Sequence, residues 1–285
     1  MHMRKLHAVF ISLAASTLVS CSTVPEHGAT ASSSVVVAPV ARQAQGVIER
    51  FPDAPAAQLD PNAATLTRLE SLAPEADPGV LALALEARNC AIRNGEVDQD
   101  AKLAVIDYSR PSTDKRLWVF DVARDQLLFR ELVAHGQGSG DNVATRFSNQ
   151  DNSHQSSLGL FLTAETYIGN NGYSLKLDGV ERGFNDNARS RAIVMHGAWY
   201  VSPDMAASKG RIGRSHGCPA LSQGIARRVI DTMKGKQLLF SYANDTAWLH
   251  RGQSFACDGR SADQILAAAR ALRGGGAQRV AVAAP

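Results

Sequence analysis

From Lys102 onward the chain is cut into short runs of β-branched and aromatic residues separated by polar turns, and this texture limits the available folds most. The runs KLAVIDYS, RLWVFDV, LLFRELVAHG, LGLFLTAETY, YSLKLDGV, RAIVMHG and KQLLFSYA each suit one strand and are too short for an ordinary helix. Ala123 to Gln126 reads as a hairpin connection. Between the last two runs lies LSQGIARRVIDTMKG. Its Leu221, Ile225, Val229, Ile230 and Met233 fall on one helical face, and Gly235 is placed as a stop. The expected fold is mainly β (α+β), with one helix packed directly behind the segment GRSHGCPAL.

The remainder of the 285 residues is organised around that region, and no internal repeat is visible. Arg4 and Lys5, the apolar run Val9 to Val19 and a small-residue site at Ser20-Cys21 form a secretory signal over residues 1–21. The sequence LVSC resembles a bacterial lipobox, which implies lipidation of Cys21; a plain cleaved signal is the alternative. Ser22, rather than Asp, follows the cysteine, and by that analogy the anchor lies in the outer membrane of a Gram-negative cell, facing the periplasm. Residues 22–62, rich in Ser, Ala, Val, Pro and Gln, read as a flexible tether. A small helical region follows over 63–98, in two pieces divided at Pro74. The catalytic domain is expected over 99–260. Residues 261–285 read as an Ala/Leu/Arg helix that gives way to a disordered GGGAQRVAVAAP. A formal net charge of +3 is too weak to argue for nucleic acid.

Export changes how the cysteines are read, because thiols pair in oxidising compartments. With Cys21 lipidated, three remain, Cys90, Cys218 and Cys257. The economical pairing is Cys90 with Cys257, which leaves Cys218 free; the other two pairings consume Cys218, and the sequence leaves all three open.

Cys218 sits in a polar, glycine-containing turn, where a thiol is expected to be exposed and reactive. An imidazole and the N-terminal end of the following helix, opened by Pro219, would both lower its pKa. Gly217 permits close backbone approach, and the Gly217 and Cys218 amides could face a developing oxyanion. Two histidines compete as base. His216 is two residues away, and His196 ends an apolar strand beside Gly197. The base of a Cys–His pair needs a third group to fix its tautomer, and a main-chain carbonyl is expected here.

HGAWYVS (196–202) followed by GRSHGCPAL (213–221) resembles the active-site block of the murein L,D-transpeptidase catalytic domains (YkuD-type), in the branch with a GRxGRSxGCPA block. The likeness spans about 100 to 245 and includes VAHGQGSG, FSNQDNSHQSSLG and GFNDNARSRAIVMHG. It implies an L,D-transpeptidase-like β-sandwich. By the same resemblance Cys218 is the acylated nucleophile, His196 the base and Gly197 the carbonyl that orients it. His216 shapes the site, while Ser215 and Gly217 frame the oxyanion region. The implied reaction is acyl transfer on peptidoglycan stem peptides through a thioester, with no metal or organic cofactor and with carbapenems as acylating inhibitors. An L,D-carboxypeptidase with the same site, or a non-catalytic peptidoglycan-binding lipoprotein, is the alternative.

The chain departs from the common pattern in two places. The His–Cys spacing of 22 is slightly long, and Ala220 stands where the family carries Arg, so Arg211 or Arg214 is the expected holder of a substrate carboxylate. His135 is read either as a cleft residue or as a strand-end histidine. His154, Asn149, Ser156 and Ser157 read as loop chemistry, Arg189 or Arg191 as a solvated charge, and Trp199 and Tyr200 as core more than cleft wall. A zinc site of His135, His154, His196 and His216 lacks HExxH or any paired short spacing.

Overall fold

The structure, a computed structural model, describes residues 62–282. The signal, Cys21 and the tether lie outside the described residues, except for the tether's last position. Eight strands are formed: β1 (Leu103–Asp107), β2 (Leu117–Asp121), β3 (Gln126–Glu131), β4 (Gly159–Gly169), β5 (Gly172–Gly179), β6 (Val194–Ala198), β7 (Ala220–Ser222) and β8 (Leu238–Tyr242). The helices are α1 (Ala63–Leu72), α2 (Pro78–Arg93), α3 (Pro203–Lys209), α4 (Gln223–Met233), α5 (Thr246–Arg251) and α6 (Ala262–Val282).

All eight strands belong to one sheet in the order β3-β2-β1-β8-β4-β5-β6-β7. β1 runs parallel to β8 and β6 parallel to β7, and the other neighbours are antiparallel. The residues after β3 then cross to the opposite edge. Ala134 bridges to Ala220 and Gly136 to Ser215, so the two edges meet and the sheet closes on itself. These contacts satisfy backbone groups at β7 and the loop before it that an open edge leaves unpaired. The α+β fold is thus mainly β with a helix behind the cysteine loop, as expected, and it is built from one sheet.

β1, β2 and β8 are buried along their whole length, consistent with their continuous apolar runs. The helical region before them joins the same core. Asp77 caps α2 by accepting the Val80 N–H, and Pro78 occupies its first turn. Thirteen of the sixteen residues of α2 are buried, as befits a helix apolar on nearly every face. α2 packs against β1, β8, α1 and α6, so 63–98 is a layer of the domain and not a separate region. Cys90 near its end is disulfide-bonded to Cys257.

Two elements depart from the sequence reading. The helix after the cysteine begins at Gln223, because Ala220–Ser222 is drawn into parallel pairing with β6. α6 continues through Gly274–Gly276 to Val282, where disorder is expected from the glycines; each costs about 1 kcal/mol against Ala but leaves helical hydrogen bonding intact.

Candidate active site

β6 and the turn that leads into β7 carry the two central side chains. His196 lies opposite Ala220 in the parallel register, and two residues back along β6 the Val194 N–H points at Cys218 Sγ at 3.4 Å. Cys218 therefore sits beside Val194, one strand over and roughly 7 Å along the strand from His196. Sγ also lies 3.7 Å from the Ala192 carbonyl oxygen, and Ala192 holds a left-handed φ of 54°. The Nδ1 of His196 is 3.0 Å from the Gly197 carbonyl oxygen. A carbonyl only accepts, so Nδ1 carries the proton and Nε2 keeps the lone pair. Gly197 faces α4: a Cβ there would lie 3.0 Å from the Ala226 Cβ. The glycine lets the helix press against the strand.

The thiol is buried at 9% exposure, not exposed as its polar neighbours suggest. Burial pushes its pKa up, opposed by the Val194 amide and the Arg191 charge. Burial likewise pulls His196 down, opposed by its Gly197 hydrogen bond. Both shifts favour a neutral thiol and a neutral imidazole. The expected helix-end effect is lost, because the cysteine lies five residues before α4 and the helix field fades within one turn.

The loop around Cys218 is tied from inside. Ser215 Oγ donates to the Cys218 carbonyl at 2.6 Å and accepts the Gly217 N–H at 3.1 Å. Ser215 therefore shapes the turn, and the Gly217 amide expected at an oxyanion is already engaged. Gly217 has φ 121°, which a side chain rarely adopts. Ser156, which sequence reasoning assigned to turn chemistry, is buried and joins two segments: its Oγ accepts from Gly136 N at 3.0 Å and donates to Gly217 O at 3.2 Å. Nothing local in the sequence marks that role.

His135 is fully buried beneath this loop, with its carbonyl accepting the Ser215 N–H at 3.0 Å. Its Nδ1 accepts from Arg116 Nη2 at 2.7 Å. Burial first, and then the Arg116 charge, hold its pKa at about 4. It supports the cleft floor and does not line the cleft.

Beside the cysteine loop opens a cleft of about 420 Å³ lined by Asp151, Asn152, His154, Ser190, Arg191, Ala192 and His216. His216 is exposed, with its ring 4.3 Å from that of His154. Asn152, His154 and Ala192 all have positive φ, and strain of this kind clusters at functional sites. Arg191, read as a solvated charge, is half-buried here. Arg211 and Arg214 both reach the single carboxylate of Asp141, at 2.7 and 3.5 Å. Ala220 is wholly buried, so a cation there would have no room. Trp199 is 71% exposed, in neither core nor cleft lining, with Tyr200 edge-on to it. Among the described residues no three His, Cys, Asp or Glu side chains could hold a metal ion, and no helix is long and apolar enough to cross a membrane.

Sequence comparison identifies the class to which this sheet belongs, with His196 on β6 and Cys218 in the turn before β7. Residues 72–242 match the L,D-transpeptidase catalytic domain, and the chain belongs to that family. Among solved structures it is similar to the L,D-transpeptidase LdtMt1 in complex with imipenem, at 15% identity and TM-score 0.32, covering 50% of this chain and 59% of that one. An L,D-transpeptidase from Mycobacterium smegmatis shows 15% identity and TM-score 0.31 over 50% and 59%. One from Stackebrandtia nassauensis shows 13% and 0.32 over 58% and 67%. The chain thus spans 59% of the length of the first two. No curated protein matches it.

Proposed function

We propose that the protein is a cysteine acyltransferase of peptidoglycan stem peptides, an L,D-transpeptidase in activity as well as family. The observation that carries this is the free thiol of Cys218 held against Val194 of β6, the strand that two residues further on carries His196, whose tautomer is fixed by Gly197 O. As a stem tetrapeptide enters, the Sγ proton passes to His196 Nε2. The thiolate adds to the carbonyl of the third residue, and the Cys218 amide supports the oxyanion. Collapse breaks the bond to the terminal D-Ala, whose amine leaves with the proton from His196, and a thioester remains. An acceptor amine then attacks that carbonyl, gives its proton to His196 and releases Cys218. A neutral resting pair suits this sequence, because the ion pair forms only when a desolvated substrate displaces water.

Arg211 and Arg214 share one exposed carboxylate, so the pair keeps a net positive charge for a substrate carboxylate. His216, on the exposed side, completes the substrate wall. LVSC with Ser22 supports a lipid anchor on Cys21 and an exported, periplasmic, outer-membrane location. The Cys90–Cys257 disulfide supports an oxidising compartment.

Intact mass spectrometry tests the reading, with wild type and Cys218→Ala each incubated with a carbapenem and with muropeptide tetrapeptides. The expected result is a covalent adduct that the variant lacks, together with cross-linked muropeptides. Tripeptide alone would assign hydrolysis by the same site. Folded, reduced protein with neither adduct nor turnover would overturn the nucleophile assignment.

A further inference from the structure

Arg191 stands in the loop that leads into β6, and every terminal N–H of its guanidinium is directed at a neutral acceptor. Nη1 donates to Ser148 O at 2.7 Å and Ser157 Oγ at 2.6 Å. Nη2 donates to Gln155 O at 2.8 Å and Ser153 Oγ at 3.2 Å. Among the described residues no carboxylate forms an ion pair with it. A half-buried cation held in this way has lost hydration without gaining an ion-paired carboxylate, an arrangement that favours any anion formed nearby. The guanidinium also abuts the cysteine loop: a Cβ on Gly217 would lie 3.5 Å from Nη2. On the other side, the carbonyl of the next residue, Ala192, lies 3.7 Å from Sγ.

We propose that Arg191 is a positioning residue that holds a fixed positive charge against the Cys218 thiolate while clamping the 148–157 loop that walls the cleft. The inference rests on Cys218 being the nucleophile. It explains how a buried thiol reaches its ionised form without a helix end beside it and without a cation at position 220. The other groups facing Cys218 do not supply that charge at rest. They are His196, held toward its neutral form, and the phenols of Tyr200 and Tyr108, which burial holds at about 12; Asp151, His154 and His216 line the adjoining cleft. Arg191 is also the one charged side chain that opposes the upward push of burial on the thiol.

The test needs no substrate, so it can fail independently of the proposed reaction. Thiolate absorbance of the full-length chain is titrated against pH, with the Cys218→Ser protein subtracted, for wild type, Arg191→Gln and Arg191→Lys. Arg191→Gln is expected to raise the midpoint by about one unit, tenfold less thiolate at a given pH. Arg191→Lys, which keeps the charge but not the fork, should stay near wild type. Ser153→Ala loosens the clamp alone and should leave the midpoint in place. An unmoved midpoint in Arg191→Gln, or an equal shift in Arg191→Lys, overturns the proposal. If Arg191→Gln does not fold, Asp151→Asn carries the test: a lower midpoint supports the proposal, and no change or a rise overturns it.

Discussion

His135 is a residue whose chemistry is set by what surrounds it. Buried against Arg116, it stays neutral down to about pH 4 in the folded chain, whereas an unfolded histidine titrates near 6.5. Between those values the unfolded chain binds the extra proton. This contribution to stability is therefore complete above pH 6.5 and is lost as pH falls towards 4. The full loss is roughly 3 kcal/mol. His135→Gln keeps an acceptor for Arg116 and removes the titration. Urea unfolding at pH 7 and pH 4 should then show a smaller acid loss in the variant, by about that amount, and equal losses would refute the assignment. His135 also shows a limit of sequence reading. Its place at the end of LLFRELVAH was legible, but whether it faced cleft or core depended on Arg116, nineteen residues earlier in the chain.

At the scale of elements, the active loop is a joint between two sheet edges. The extension of β3 reaches β7 through Ala134 and the cysteine loop through Gly136, where a Cβ would meet Gly217 Cα at 2.8 Å and Gly217 N at 2.9 Å. Both are backbone atoms that cannot rotate away. Gly136→Ala should cost about 1–3 kcal/mol of stability. It should slow carbapenem acylation of Cys218 at least tenfold at a temperature where the variant remains folded, because the cysteine turn must move. Acylation at the wild-type rate would show that the joint does not set the turn. Most strands were readable from their β-branched and aromatic runs. β7 was not, since three residues of Ala, Leu and Ser carry no strand signal and are extended only because β6 and Ala134 pair with them.

At the scale of the molecule, the Cys90–Cys257 bridge closes a loop of 167 residues between the end of α2 and the segment before α6. α2 lies in the core, so the bridge restrains the unfolded chain around the whole domain. Replacing both cysteines by serine should lower stability by about 2–5 kcal/mol in urea and leave acylation of the folded protein within about twofold of wild type. A stability change under about 0.5 kcal/mol would mean that core packing alone holds α2 in place.

The sequence by itself determined the strands other than β7, the amphipathic α4 and the likeness of GRSHGCPAL to one family, because periodicity and short motifs are local properties of a chain. The tertiary structure alone decided the bridging of the segment after β3 to the far edge of the sheet, the burial of the thiol, the Asp141 carboxylate on Arg211 and Arg214, and the seating of Arg191 against the cysteine loop. Each of these depends on segments distant in sequence meeting in space, and the shielding and fixed charge that set a side chain's reactivity exist only once they have met.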